Sequence, residues 1–143
     1  MSKGLNYIGI ARKSGTIETG EENTAMLIKG GKAKLVIVAA DTSPNAKKRA
    51  MGYVFNSATP IVEIPYTKQE LSDITGKVGC SMAVFTDIGL ASSFVGALKE
   101  EFGEKYEAVS AQLEEKRKKA AQRQKEAKAH QRNAKHGKRR KSV

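Results

Sequence analysis

TGEENTAMLIKGGKAKLVIVAAD, residues 19–41, holds a capped amphipathic helix, a glycine turn and an apolar strand in direct succession. Thr19 and Glu22 have the T-x-x-E spacing of a capping box, in which the hydroxyl accepts a first-turn backbone N–H and the glutamate reaches back to the cap. A helix is therefore expected from about Gly20. Thr24, Ala25, Leu27 and Ile28 crowd one side, which the pattern assigns to the core, while Glu22, Met26, Lys29 and Gly30 share the other. Gly30-Gly31 closes the helix, because glycine accepts the left-handed conformation a helix end requires. Leu35 to Ala40 (LVIVAA) then runs without a polar break, which suits a strand covered on both faces.

Working outward, Leu5, Ile8 and Ala11 are spaced for a short first helix that Ser14-Gly15 ends, and Thr16 to Glu18 fits a brief edge strand. Ser43-Pro44 starts a helix with Ala46, Ala50, Tyr53 and Val54 inward and Lys47, Lys48 and Arg49 outward. Pro60 to Ile64 reads as a strand, and Thr67 and Glu70 repeat the capping-box spacing before a helix anchored by Leu71 and Ile74 and stopped at Gly76. The loop Lys77-Val78-Gly79-Cys80 leads to a strand over Ser81 to Thr86. Asp87 caps a last helix with Leu90, Ala91, Phe94, Val95, Leu98 and Phe102 on one side. Strands alternating with helices predict an α/β fold, a three-layer α/β/α sandwich around a mixed sheet.

Charge divides the chain. Residues 1–103 carry 12 Lys and Arg against 10 Asp and Glu, whereas residues 104–143 carry 14 against 5. After Leu113 no large aliphatic or aromatic residue occurs before Val143. The expectation is a domain over 1–103 that folds alone and a basic extension over 104–143 that is helical or disordered, helical mainly over Val109 to Ala134 and fraying at Gly137.

Catalytic material is sparse. Cys80 is the single cysteine, and both histidines, His130 and His136, stand among lysines of the extension, so neither a disulfide, a metal cluster nor a nucleophile–base pair is expected. Gly-x-Gly-x-x-Gly and Walker patterns are missing, and Gly30-Gly31 precedes a strand where a phosphate loop would follow one. The reading is a non-enzyme without cofactor. With no signal-like opening and no apolar run near the ~20 residues of a membrane span, it is expected to be cytoplasmic, monomeric and without a membrane partner. Lys116 to Lys141 holds 13 basic residues and one acid, Glu126, a density that displaces counterions from phosphates and points to nucleic acid.

Gly20-Glu21-Glu22-Asn23, KAKLVIVAAD with its following Ser-Pro helix, Thr59-Pro60-Ile61-Val62, the Lys68-Gln69-Glu70-Leu71 helix ending at Gly76 and the Ala83-Val84 strand together resemble the L-seven-Ae family of ribosomal proteins over about residues 4–100. LNYIGIARKSGTIETGEE and FTDIGLASSF are most similar to its small bacterial members. The resemblance implies a three-layer domain that binds kink-turns, sharply bent RNA duplexes with tandem G·A pairs and a bulge. The implied partners are rRNA or another kink-turn-like RNA, and the ribosome.

In that family a Gly-x-Asn-Glu-x-x-Lys helix enters the major groove, and the loop before the last strand covers the bulged nucleotides. The resemblance puts the first pattern on Gly20, Glu21, Glu22, Asn23 and Met26, and the loop on Lys77, Val78, Gly79 and Cys80. Two departures stand out: Glu22 and Asn23 are in swapped order, and Met26 occupies the lysine position. Glu22 reads both as a cap and as an acceptor for a base amine, and Asn23 as a reader of a base edge. Lys29, three residues beyond Met26, is a candidate replacement for the phosphate contact, and Lys32 and Lys34 flank the following turn where they would meet the backbone. The alternative is an interaction scaffold that has lost kink-turn recognition and binds RNA only through its basic extension.

Overall fold

Leu35–Val38 forms β2, and all four of its side chains are buried. The structure, a computed structural model, describes the backbone of residues 2–141 and the side chains of residues 2–131. Around β2 the sheet has the order β1-β4-β2-β3, with β1 Ile17–Thr19, β3 Ile61–Glu63 and β4 Met82–Phe85. β2 is parallel to β3 and antiparallel to β4, and β4 is antiparallel to the edge strand β1, so the sheet is mixed.

Strand alternation divides the core in two. Leu35 and Ile37 join a cluster with Ile8, Leu71, Phe94 and Leu98, and Val36 and Val38 join a second with Ile28 and Ala50. α1 (Lys3–Ser14), α4 (Lys68–Thr75) and α5 (Ile88–Phe102) cover the first face; α2 (Glu21–Lys29) and α3 (Pro44–Val54) cover the second. This is the expected three-layer sandwich.

Local signals fix most helix ends. Ser43 Oγ accepts from Ala46 N–H at 3.2 Å with Pro44 in the first turn, Thr67 and Glu70 form a reciprocal capping box, and Asp87 accepts from Leu90 N–H at 2.8 Å. The box expected at Thr19 and Glu22 does not form. Thr19 lies in β1 opposite Ala83, so Gly20 becomes the cap residue and makes no side-chain bond. Thr24 Oγ1 donates to the Gly20 carbonyl at 2.8 Å and Asn23 Nδ2 donates to the Thr19 carbonyl at 2.9 Å instead. At the other end of α2, Gly31 rather than Gly30 takes the left-handed conformation, with φ 72°.

The end of α5 and the extension depart from the expected pattern. Phe102 is 41% exposed and meets Tyr66 edge to face, with ring centroids 6.1 Å apart. The extension is not idle either. A 3-10 turn, Glu104–Tyr106, and α6, Glu107–Lys141, bring Tyr106 and Leu113 into the main core at 2% and 0% exposure. Tyr106 Oη donates to the Glu63 carbonyl at 3.0 Å, and Ser92 Oγ donates to Glu114 at 2.7 Å. The turn Glu104–Tyr106 packs against α5 immediately after its end and Glu114 meets Ser92 near its start, so α6 folds back along α5. The helix passes through Gly137, where fraying was expected, and the end of the KRRKSV run, Ser142 and Val143, lies outside the described residues.

Candidate nucleic-acid interface

Gly20 enters α2 at φ 96°, ψ 155°, a region in which a Cβ is strained. Its N–H donates to the Met82 carbonyl at 3.0 Å, which fixes the start of α2 beside the start of β4. Lys77, Val78 and Gly79 precede β4 and are exposed, Val78 completely, and Gly79 turns the chain at φ 71°. The loop and the first turn of α2 therefore share one end of the sheet, where the parallel strands β2 and β3 finish. Open α/β sheets commonly bind ligands at that end.

Cys80 does not share this exposure. It is 4% exposed, its N–H donates to Ser72 Oγ at 3.0 Å, and its thiol donates to the Met82 carbonyl. Burial pushes the thiol pKa up, so Cys80 anchors the loop from inside and presents no side chain to a ligand.

Along α2, Thr24 and Ile28 face the core while Glu22, Asn23, Met26 and Lys29 face solvent, Met26 at 66% exposure. Asn23 uses its amide nitrogen on Thr19, which orients the side chain on the first turn. Its carbonyl oxygen remains an acceptor for a base amine.

Glu21 stands apart. Its carboxylate pairs with Arg49 and accepts the Tyr53 hydroxyl at 2.7 Å, tying α2 to α3. The Arg49 guanidinium, then the Tyr53 hydroxyl, hold its pKa below the usual carboxylate range. A depressed carboxylate pKa adds stability above the unfolded-state pKa that is lost as pH falls through the folded one. Arg49→Gln is thus expected to lower stability slightly at pH 7, since so exposed a pair is screened by solvent, and the difference should vanish as pH drops below the ordinary carboxylate range. Parallel denaturation curves of wild type and variant across pH check this; a gap that persists at low pH would assign the Arg49 effect to packing.

Lys32 and Lys34 lie elsewhere. Lys34 N–H donates to the Phe85 carbonyl at 2.8 Å, at the opposite end of the sheet from Gly20, and α2 spans the ~13 Å between them. Lys34 faces α6 across a cleft that also includes Lys116, Lys119 and Arg123. The candidate residues thus fall into two groups: Gly20, Glu22, Asn23, Met26 and the exposed loop at one end, Lys32 and Lys34 at the other, with Lys29 on the last turn between them. Sequence reasoning missed the Arg49–Tyr53 clasp on Glu21 and the company Lys34 keeps.

Among the described residues no group of His, Cys, Asp and Glu could hold a metal ion, and no helix is long and apolar enough to cross a membrane.

The comparisons agree with this architecture. The chain is 37% identical over 75 residues to the RNA-binding protein YlxQ of Enterococcus faecium, an alignment covering 52% of this chain and 72% of that protein. It is 35% identical over 82 residues to the large ribosomal subunit protein eL30 of Methanopyrus kandleri, covering 56% and 75% respectively. Its fold matches that of a protein of unknown function from Bacillus halodurans with a TM-score of 0.64 at 22% identity, covering 69% of this chain and 99% of the other. The family model described as ribosomal protein L7Ae/L30e/S12e/Gadd45 matches residues 2–94, and with the sandwich built around β2 it makes this chain a member of that family.

Proposed function

We propose that this protein binds structured RNA of the kink-turn type and works, as a monomer in the cytoplasm, with the ribosome or its assembly. The observation that carries the reading is the common location of two exposed elements at one sheet end: the first turn of α2, with Glu22 and Asn23, and the loop Lys77–Gly79, joined through Gly20 and Met82. A helix presenting an amide and a carboxylate fits a major groove, where Asn reads adenine and Glu accepts from an exocyclic amine. An exposed loop ending on a buried anchor suits the cover of an extruded nucleotide. The relatives named for RNA binding and for the large ribosomal subunit support the same class of ligand.

The test is a titration of the full chain against a kink-turn RNA and a straight duplex of equal length at one salt concentration. Preference for the bent RNA is expected. Equal affinity for both would select the scaffold reading, in which basic charge alone holds RNA.

Met26 offers a gain-of-function check. At 66% exposure its side chain contributes little to the core, so Met26→Lys should leave the melting temperature nearly unchanged. A charged hydrogen bond to the RNA is worth at least about 1.5 kcal/mol, so the bent RNA should bind about tenfold tighter while the straight duplex gains less. Equal tightening on both RNAs would mean added charge only.

A further inference from the structure

Where the connection Gly31–Lys34, the segment Ser57–Thr59 and the start of α5 meet α6, they enclose a cleft of about 350 Å³. Lys34, Lys116, Lys119 and Arg123 line it, and none of its described lining residues is acidic. Ile28, Ala33 and Ile88 supply apolar surface. Lys116 donates to the Ala58 carbonyl, which leaves two of its three N–H donors without a protein partner among the described residues. Burial, and then the charge of Lys34, lower the pKa of Lys116, the response of an ammonium held near another cation without a counter-ion. Lys119 approaches Glu115 at 3.5 Å, but that pair is well exposed and weak.

Lys116, Lys119 and Arg123 recur at i, i+3 and i+7, so they form one row along α6 about 10 Å long. That length matches about three nucleotides of one strand at roughly 3.4 Å each. Phe55, 77% exposed, ends α3 two residues before Ser57 of the cleft wall, and Asn56 between them turns the chain at φ 65°. Proteins hold single-stranded nucleic acid by combining a cationic groove that tracks the phosphates with exposed aromatic rings that stack on bases, and Phe55, outside the cleft lining but two residues from its wall, is the exposed ring nearest to it in the chain.

We propose that this cleft is a second RNA site, which takes a short single-stranded segment with its phosphates on Lys34, Lys116, Lys119 and Arg123 and a base on Phe55. It lies at the opposite end of the sheet from the first turn of α2, so one chain engages two RNA segments. The site is independent of how α2 is used.

The test uses the full chain and a labelled oligouridylate of about ten nucleotides, which has no duplex for α2 to read. Phe55→Ala removes no charge and no core contact, and should weaken binding about five- to tenfold through lost stacking. The triple variant Lys34→Gln, Lys119→Gln, Arg123→Gln should weaken it more than thirtyfold and reduce the slope of log affinity against log salt by about 2. A control with equal charge loss, Lys118→Gln, Lys125→Gln, Lys128→Gln, should cost less than about a third of that loss. Asn23→Ala should leave oligouridylate binding unchanged whatever it does to a bent RNA, which separates this site from the α2 reading. Equal losses for the two triple variants, a Phe55→Ala curve superimposed on wild type, or competition by polyglutamate as effective as that by unlabelled oligouridylate would each overturn the proposal.

Discussion

A chain ending at Gly103 is expected to lose most of its stability, by on the order of 5 kcal/mol, whereas a chain ending at Ala120 should unfold almost as the full protein does. Tyr106 and Leu113 are 2% and 0% exposed in the same cluster as Phe94 and Leu98, so removing them opens the main core beside α5. Loss of one fully buried leucine side chain costs about 2–5 kcal/mol and of a large aromatic about 3–5 kcal/mol, less the ordering of the segment that carries them. The cut also removes the Tyr106 bond to the Glu63 carbonyl at the end of β3. Leu113→Ala tests the claim without a truncation and should cost about 3 kcal/mol. Denaturant curves of the four chains decide it: a midpoint for 1–103 equal to that of the full chain would show that α5 repacks unaided. On this burial we propose a folding unit that reaches into the first turns of α6, not one that stops at residue 103.

The reason this boundary was hard to read is the density of charge around it. Tyr106, Val109, Ser110 and Leu113 are spaced i, i+3, i+4 and i+7, one face of a helix, and that period was the available signal. Counted by composition, the same stretch is polar. β2 was legible because LVIVAA has no polar break, and Ser43, Thr67 and Asp87 were legible because each cap depends on residues within four positions. Thr19 misled for a tertiary reason, since pairing with Ala83 in the sheet takes it out of the capping position that its local spacing suggests. Helical period alone put Glu22, Met26 and Lys29 on the outer face of α2, whereas their candidacy for RNA, with that of Gly20 and Asn23, came from the family resemblance. The clasp between Glu21 and Arg49, 28 positions apart, and the approach of Lys34 to Lys116 depend on how layers stack, which no local pattern encodes.

Gly20→Ala is expected to lower stability by about 2 kcal/mol and to weaken bent-RNA binding by the folded fraction more than tenfold. A new Cβ would meet no atom within 4 Å, so the cost arises from the backbone, where φ 96° and ψ 155° are tolerated by glycine alone at an expense of about 1–3 kcal/mol for other residues. The strain can relax only if φ turns negative. That rotation displaces the N–H bonded to Met82 and the carbonyl that accepts from Thr24 N–H at 3.1 Å and from Thr24 Oγ1 at 2.8 Å, and with them the first turn of α2. Glu22 and Asn23 would then lose their setting relative to the Lys77–Gly79 loop, and a misplacement of about 1 Å in a preorganised site is costly. Asn23→Ala is the companion variant. It removes an exposed bond to the Thr19 carbonyl, so it should cost under 1 kcal/mol of stability while forfeiting a base contact worth about 1–3 kcal/mol. Thermal melting together with titration of both variants against the bent RNA separates the two effects. If Gly20→Ala lowers the melting temperature yet its folded form binds the bent RNA like wild type, the entry to α2 lies outside the interface and the recognition surface must be sought away from this end of the sheet.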